Sequence, residues 1–237
     1  MVNLTTLDLL LSSLFILLLA FLSYRHRVKL EKKILFSSLR AALQLLFVGM
    51  VLQTVFNYNS IYLVATISML MVLLAGYEIQ ARQQRRFLGG WGYLNGTVAI
   101  FISSMATALF ALLFIIEYDP WHHPQYAIPL LGMLLGNTMN GISLGMDRLT
   151  SSVWQQRRVI EARLAMGESA DSAIRNLRDE AIRTGMIPIL NSMAAAGIIS
   201  LPGMMTGQIL AGAAPLEAVK YQIMILFLIA GEIGRAS

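Results

Sequence analysis

Apolar runs of about twenty residues recur along this chain, and nothing else in the sequence limits its fold so strongly. They fall at 4–23, 34–56, 61–81, 94–116 and 127–147, with shorter ones at 186–201 and 218–234. A helix needs about 20 apolar residues to cross the hydrocarbon core of a bilayer. No water is available there, so every backbone N–H and C=O must be paired within the element, and a helix does that alone. The runs predict an all-α chain: one polytopic transmembrane helical bundle of about seven spans filling residues 1–237 as a single domain. Composition agrees. Hydrophobic residues make up 57% and charged residues 13% of the chain, against about 25% charged in a soluble domain.

The first run, Asn3 to Ser23, lacks a basic stretch ahead of it and a clear small-residue cleavage site. It reads as a retained span rather than a signal peptide. Orientation follows from the Lys and Arg residues. Arg25, Arg27, Lys29, Lys32 and Lys33 follow the first run, Arg82, Arg85 and Arg86 the third, and seven arginines lie from Arg148 to Arg183. Arg235 stands near the C-terminus. The alternate loops, 57–60, 117–126 and 201–217, hold none, which leaves only Lys220 and Arg40 outside the pattern. Cytoplasmic loops carry the excess of Lys and Arg, so the N-terminus is expected outside and the C-terminus inside. The net charge of +5 then reflects topology and membrane lipid, not nucleic acid. The absence of cysteine excludes disulfides, thiolate metal sites and cysteine nucleophiles.

Residues 148–185 are too polar to cross and form the one sizeable soluble portion, a cytoplasmic helical hairpin. A helix from about Asp147 to Met166 should end at Gly167, a good C-cap residue. Ser169 can cap a second helix, with Asp171 in its first turn. Asp171, Arg175, Asp179 and Arg183 are spaced by four, as opposite-charge neighbours on one face. Ile174, Leu177 and Ala181 make an apolar stripe on another. A solvated linker would not need a sharp glycine break between two patterned helices, so the hairpin reads as a surface that receives a cytoplasmic partner.

The stretch SLPGMMTGQILAG, Ser200 to Gly212, is uncharged yet broken by proline and glycine. Pro202 and Gly203 should stop the sixth span, and Gly207 and Gly212 should allow close backbone approach. Irregular backbone at membrane depth must be buried in protein or line a cavity. The stretch is therefore either a tight outer turn or a re-entrant segment along a transport path.

The run Glu161-Ala162-Arg163-Leu164-Ala165-Met166-Gly167 resembles the EAA-type coupling motif of ABC transporter permeases. In that motif a short helix, a glycine break and a following helix fit a cleft on the ATP-binding subunit. Arg163 stands where the motif has its second alanine, and Pro188 comes later than the motif's downstream proline. The whole chain resembles the FetB family of ABC permeases, the membrane partners of FetA ATPases, associated with iron export. The matching blocks are RAALQLLFVGMVL (Arg40 to Leu52), IPLLGMLLGNTMN (Ile128 to Asn140), Glu161 with LAMG (Leu164 to Gly167), SLPGMMTGQILAG and YQIMILF (Tyr221 to Phe227). The resemblance implies a permease of the bacterial cytoplasmic membrane, a homodimer, driven by a FetA-like ATP-binding subunit through Glu161, Leu164 and Gly167. Plant relatives linked to aluminium tolerance and nucleotide-sugar transport leave the cargo open. Family members usually continue past the last run with more apolar sequence and a basic tail. Here Glu232 and Arg235 interrupt a short final span, as in a truncated or altered form.

Ionisable and amide side chains within spans mark candidate functional positions. Arg40 and Gln44 share a face of the second span, and Glu78 in the third lies at a depth where it could pair with Arg40. Gly132 and Gly136 form a GxxxG pattern that permits close packing. Asn137 and Asn140, three apart, are expected to face the same way, lining a path or bonding between helices; Asn191 could serve either role. Met204 and Met205 are candidate contacts on an exit path. His122 and His123 are adjacent in a loop and poor co-ligands, so no metal site is assigned. The chain has no GxxxxGK[ST] loop, so ATP and Mg would enter only through a partner. A secondary transporter would want inverted repeats, and none is clear. An intramembrane enzyme would want catalytic groups at depth, whereas Asp8, Asp119 and Asp147 are end or loop residues.

Overall fold

The computed structural model describes residues 5–58, 60–83, 91–116 and 118–236. Asn3, Leu4, Asn59, Arg85, Arg86 and Glu117, which entered the span and charge readings, lie outside the described residues. Every regular element among the described residues is helical. The chain groups into two compact units, Met1–Asn59 and Ser60–Ser237.

The first unit is a helix pair, α1 (Thr6–Arg25) and α2 (Glu31–Tyr58). Thr5 opens α1 with a capping box: its hydroxyl accepts from the Asp8 N–H at 3.4 Å, and its own N–H donates to Asp8 Oδ2 at 2.8 Å. Arg27 and Lys29 carry the link with positive φ of 57° and 62°, and the Leu30 N–H donates to Ser23 Oγ at 3.1 Å. Both helices keep large apolar side chains exposed nearly all round, Phe15 at 75% and Leu45 at 73% among them. Helices apolar on every face need lipid or another chain as solvent.

The second unit holds α3 (Ile61–Arg82), α4 (Trp91–Ala111), α5 (Pro124–Gln155), α6 (Arg157–Ala165), α7 (Ala170–Ala195), α8 (Gly203–Leu210) and α9 (Pro215–Ala236). A π-helical turn, Leu112–Ile116, extends α4. Helix α5 is central and packs against α3, α4, α7 and α9. Among the described residues, five helical segments are long and apolar enough to cross a membrane: Leu7–Arg25, Glu31–Tyr58, Ile61–Arg82, Gly92–Ile116 and Pro124–Gln155.

Between lipid-facing helices there is little hydrophobic drive, so small residues that let backbones approach do the packing. On α5 these are Gly141 and Gly145. A Cβ added at Gly141 would lie 2.9 Å from the Gly185 carbonyl of α7, and one at Gly145 would lie 3.2 Å from that of Ala181. The contact is mutual: a Cβ at Gly185 would sit 2.8 Å from the Gly141 carbonyl. On α7 the facing ladder is Ala173, Leu177, Ala181, Gly185 and Ile189, four apart and buried. The expected GxxxG of Gly132 and Gly136 does not act this way. A Cβ at Gly132 would meet only the flexible end of Met71 at 3.3 Å, and one at Gly136 would meet nothing within 4 Å. The stripe of Leu177 and Ala181 therefore seats α7 on α5 and is unavailable to a partner, with Ile174 half-buried at its edge.

The boundaries differ from the sequence reading at the polar segment. Its first helix does not begin near Asp147, because α5 runs unbroken from Pro124 to Gln155 with no glycine or proline after Gly145 to stop it. The chain then kinks at Gln156 into the short α6. Its second helix likewise continues through Pro188 to Ala195 as one rod, α7. The sixth span also ends earlier than Ser200–Leu201. A turn at Ala196–Ser200, with Gly197 at φ +81°, closes it by hydrogen bonds from Ile199 and Ser200 N–H to the Ala195 carbonyl at 3.0 and 3.1 Å. Pro202, at φ −60°, starts α8 instead of stopping α7.

Candidate functional site

Residues 200–204 line a cavity of about 350 Å³ together with side chains of α5, α7 and α9. Asn137 and Met133 of α5, Ser192 of α7, Met204 of α8 and Gln222 of α9 line it. Asn137 spends its amide N–H₂ on the Met133 carbonyl at 2.8 Å, and the Ser192 hydroxyl donates to the Pro188 carbonyl at 2.9 Å. Both side chains thereby keep an oxygen as acceptor. Gln222 is buried and its Oε1 has no hydrogen-bond partner among the described residues. A buried unpaired acceptor in a roomy cavity is where a ligand donor, a water or a cation belongs. No charged residue lines the cavity, so it is a neutral, acceptor-rich chamber with two thioethers.

The expected path residues separate. Asn137 and Met204 line the cavity, whereas Met205 is half-buried on α8 outside its lining. Asn140 does not share a site with Asn137: its Oδ1 accepts from Arg82 Nη1 at 2.6 Å, so it ties α5 to α3. Three residues turn the helix by about 300°, enough to hand the second amide to a different neighbour. Asn191 is exposed beside the cavity-lining Ser192. Glu78 and Arg82, one turn apart on α3, lie at 3.9 Å. Arg40 and Gln44 belong to the first unit, on α2. His122 and His123 sit in an aromatic cluster, His122 against Trp121 and His123 against Tyr118, and among the described residues no group of three His, Asp or Glu converges.

Gly207 and Gly212 were expected to permit close approach, but a Cβ at either would meet nothing within 4 Å. Gly212 instead takes φ +97° and ends α8, its N–H bonding the Ile209 carbonyl at 3.0 Å while that of Ala213 bonds Gln208 at 2.9 Å.

At the other end of α5 and α7 lies the polar hairpin. Gly167 ends α6 at φ +88°, with its N–H on the Leu164 carbonyl at 3.0 Å and the Glu168 N–H on that of Arg163 at 3.1 Å, a Schellman cap. Ser169 caps α7, its Oγ accepting from the Ser172 N–H at 3.3 Å. Arg163, the departure from the coupling motif, clips the turn. It grips Glu168 with Nε and Nη2 at 2.7 and 2.9 Å and reaches the Ala173 carbonyl with Nη1 at 3.0 Å. The Ser172 hydroxyl holds the Glu168 carboxyl below the usual carboxylate range; desolvation opposes this and Arg163 adds to it. Glu161 and Leu164 are exposed, as are Val159, Met166 and Trp154, which Arg157 covers at 4.6 Å. The expected charge ladder on α7 is rewired: Asp171 pairs with Arg178 at 2.5 Å, and Arg178 also approaches Asp179 at 3.9 Å. Arg148 of α5 pairs with Glu180 of α7, which locks the two rods together at the hairpin.

Sequence reasoning missed Gln222, Ser192, the Arg163 clip and the Gly141–Gly185 contact. Gln222 could have been found as a lone amide between apolar residues, and Gly141-Ile-Ser-Leu-Gly145 is itself a small-residue pattern.

The chain matches the model of the Uncharacterised protein family (UPF0014) over residues 6–236. It is 40% identical over 204 residues to the UPF0014 membrane protein slr1647 of Synechocystis sp., covering 85% of this chain and 77% of that one. It is 34% identical over 216 residues to Protein ALUMINUM SENSITIVE 3 of Arabidopsis thaliana, covering 91% and 77%. It is 32% identical over 230 residues to the Probable iron export permease protein FetB of Escherichia coli K12, covering 96% and 85%. No solved structure matches. The chain therefore belongs to the UPF0014 family.

Proposed function

We propose that the chain is the permease subunit of an ABC exporter in the bacterial cytoplasmic membrane, moving iron with energy from a separate ATP-binding subunit. The observation that carries this is the continuity of α5 and α7. Each runs without a break from the cavity wall to the hairpin, from Asn137 to Gln155 and from Ser192 back to Ala170. At 1.5 Å per residue these are rods of about 27 and 33 Å, long enough to join a mid-membrane chamber to the cytoplasm. Glycine contacts and the Arg148–Glu180 pair hold them as one lever. The clipped, solvent-facing α6 turn with Glu161, Leu164 and Gly167 is the handle.

In this reading the membrane-embedded part of α7 and helix α9 complete about seven spans, with the N-terminus outside and the hairpin inside. ATP closure in the partner pushes the handle, the rods tilt, and the chamber under α8 changes its access. The apolar faces of α1 and α2 meet lipid or the second permease of a homodimer. The relative named as a probable iron export permease supports iron as cargo. The neutral chamber suits a cation that must also leave.

The test is co-purification with candidate ATP-binding subunits, then ATP-driven transport in vesicles with ferrous iron, other divalent metals and a nucleotide sugar. ATP-dependent iron movement is expected. Transport without any ATPase, driven by an ion gradient, would contradict the reading, as would selective movement of the nucleotide sugar.

A further inference from the structure

Glu232 of α9 is buried in the bundle, 1% exposed, although it interrupts the final apolar run. Its Oε1 accepts from the Ser104 hydroxyl, and its backbone carbonyl accepts from Ser103 Oγ at 3.1 Å. Both serines lie near the midpoint of α4 and are themselves buried. The Thr138 hydroxyl of α5, fully buried, faces the same carboxyl. Two atoms are left over: Glu232 Oε2 and Thr138 Oγ1 are both buried with no hydrogen-bond partner.

No cation pairs with Glu232 among the described residues. Helices α4 and α8 carry no charged residue at all. On α5 the charged residues are Asp147 and Arg148, and Arg148 is committed to Glu180. On α7 the nearest in sequence to the membrane-embedded half is Arg183. On α9 itself, Glu217 and Lys220 pair with each other at 2.7 Å, and Arg235 follows Glu232 by three residues.

We propose that Glu232, Ser104 and Thr138 form an intramembrane site for one exchangeable proton. A bare carboxylate here would be a buried charge with no counter-ion among the described side chains, one of the costliest arrangements in a low-dielectric interior. Thr138 could donate to it, but the charge would remain. A proton on Oε2 removes the charge, supplies a donor to Thr138 Oγ1, and satisfies both orphaned atoms at once. The site adjoins the cavity along two helices: Ile229, three residues before Glu232, and Asn137, next to Thr138, both line the chamber. Its use in export, as a charge that a passing cation replaces, rests on the transport reading. The proton site itself does not.

The test is infrared spectroscopy of the whole chain in lipid nanodiscs, wild type against E232Q, in H₂O and D₂O. The expected result is a carboxylic-acid C=O band in the wild type, lost in E232Q and shifted in D₂O. Absence of that band overturns the proposal, and a band that does not respond to D₂O overturns exchange. Should E232Q fail to fold, Ser104→Ala decides. It keeps the acid and removes one donor, so the band must move to higher frequency; an unmoved band counts against the site.

Discussion

Replacing Gly185 by alanine probes the lever at its tightest point. The new Cβ would lie 2.8 Å from the Gly141 carbonyl oxygen of the facing helix. Ordinary contact needs roughly 0.5 Å more, and a gap of 0.5–1 Å opened along the seam forfeits about a quarter to a half of each dispersion contact there. Overpacking of this kind costs about 1–3 kcal/mol. Alanine also gains up to about 1 kcal/mol of helix propensity over glycine, which masks part of the loss. Gly136→Ala on α5 removes that ambiguity, because its Cβ would meet nothing within 4 Å. The difference between the two variants should be about 1–3 kcal/mol, or roughly 5- to 150-fold in the unfolding equilibrium. The assay is reversible unfolding in mixed detergent micelles. Equal stability of the two variants would refute the reasoning, and so would a larger loss in Gly136→Ala.

Arg163→Ala should loosen residues 163–173, read as faster amide exchange there and unchanged exchange in α4 and α5. The clip should also answer to pH. The Glu168 carboxyl titrates below its unfolded value, so its stabilising effect is present above the ordinary carboxylate range and fades as pH falls through the lowered value. Local protection in the turn, corrected for intrinsic rates, should fall on acidification in the wild type and stay flat in Glu168→Gln. Gly167→Val forces a β-branched residue to a φ of +88°, at a cost of about 1–3 kcal/mol confined to the turn. It should cut ATP-driven transport severalfold while the bundle's unfolding midpoint holds. Gln222→Leu removes the unpaired acceptor from the chamber and should weaken cargo binding about tenfold, consistent with 1–3 kcal/mol for a buried polar partner. Unchanged affinity in isolated protein would remove Gln222 from the path.

The helical class and five helices long and apolar enough to cross a membrane were legible because they follow from run length, a property local to each segment. The Gly167 break, the Ser169 cap and Asp171 near the start of α7 were legible for the same reason: caps are written within one turn of sequence. What failed was non-local. Nothing in Gly132 or Gly136 distinguishes them from Gly141 and Gly145 until the partner helix is in place, since both pairs have the same spacing. Asn140 looked like a companion of Asn137 until Arg82 arrived from α3. The continuity of α5 into the polar segment was hidden because polarity changes at Asp147 while helix propensity does not. Glu232 read as a flaw in a span, although three hydroxyls from two other helices converge on it.

Because the chain contains no cysteine, single cysteines at positions 154, 161 and 166 can be labelled without background. The central claim is that a motor in the cytoplasm grips this hairpin. A membrane-impermeant maleimide should therefore react at all three positions in inside-out vesicles and leave them untouched in intact cells. Labelling of these positions in intact cells would place the handle on the wrong side of the membrane and contradict the account.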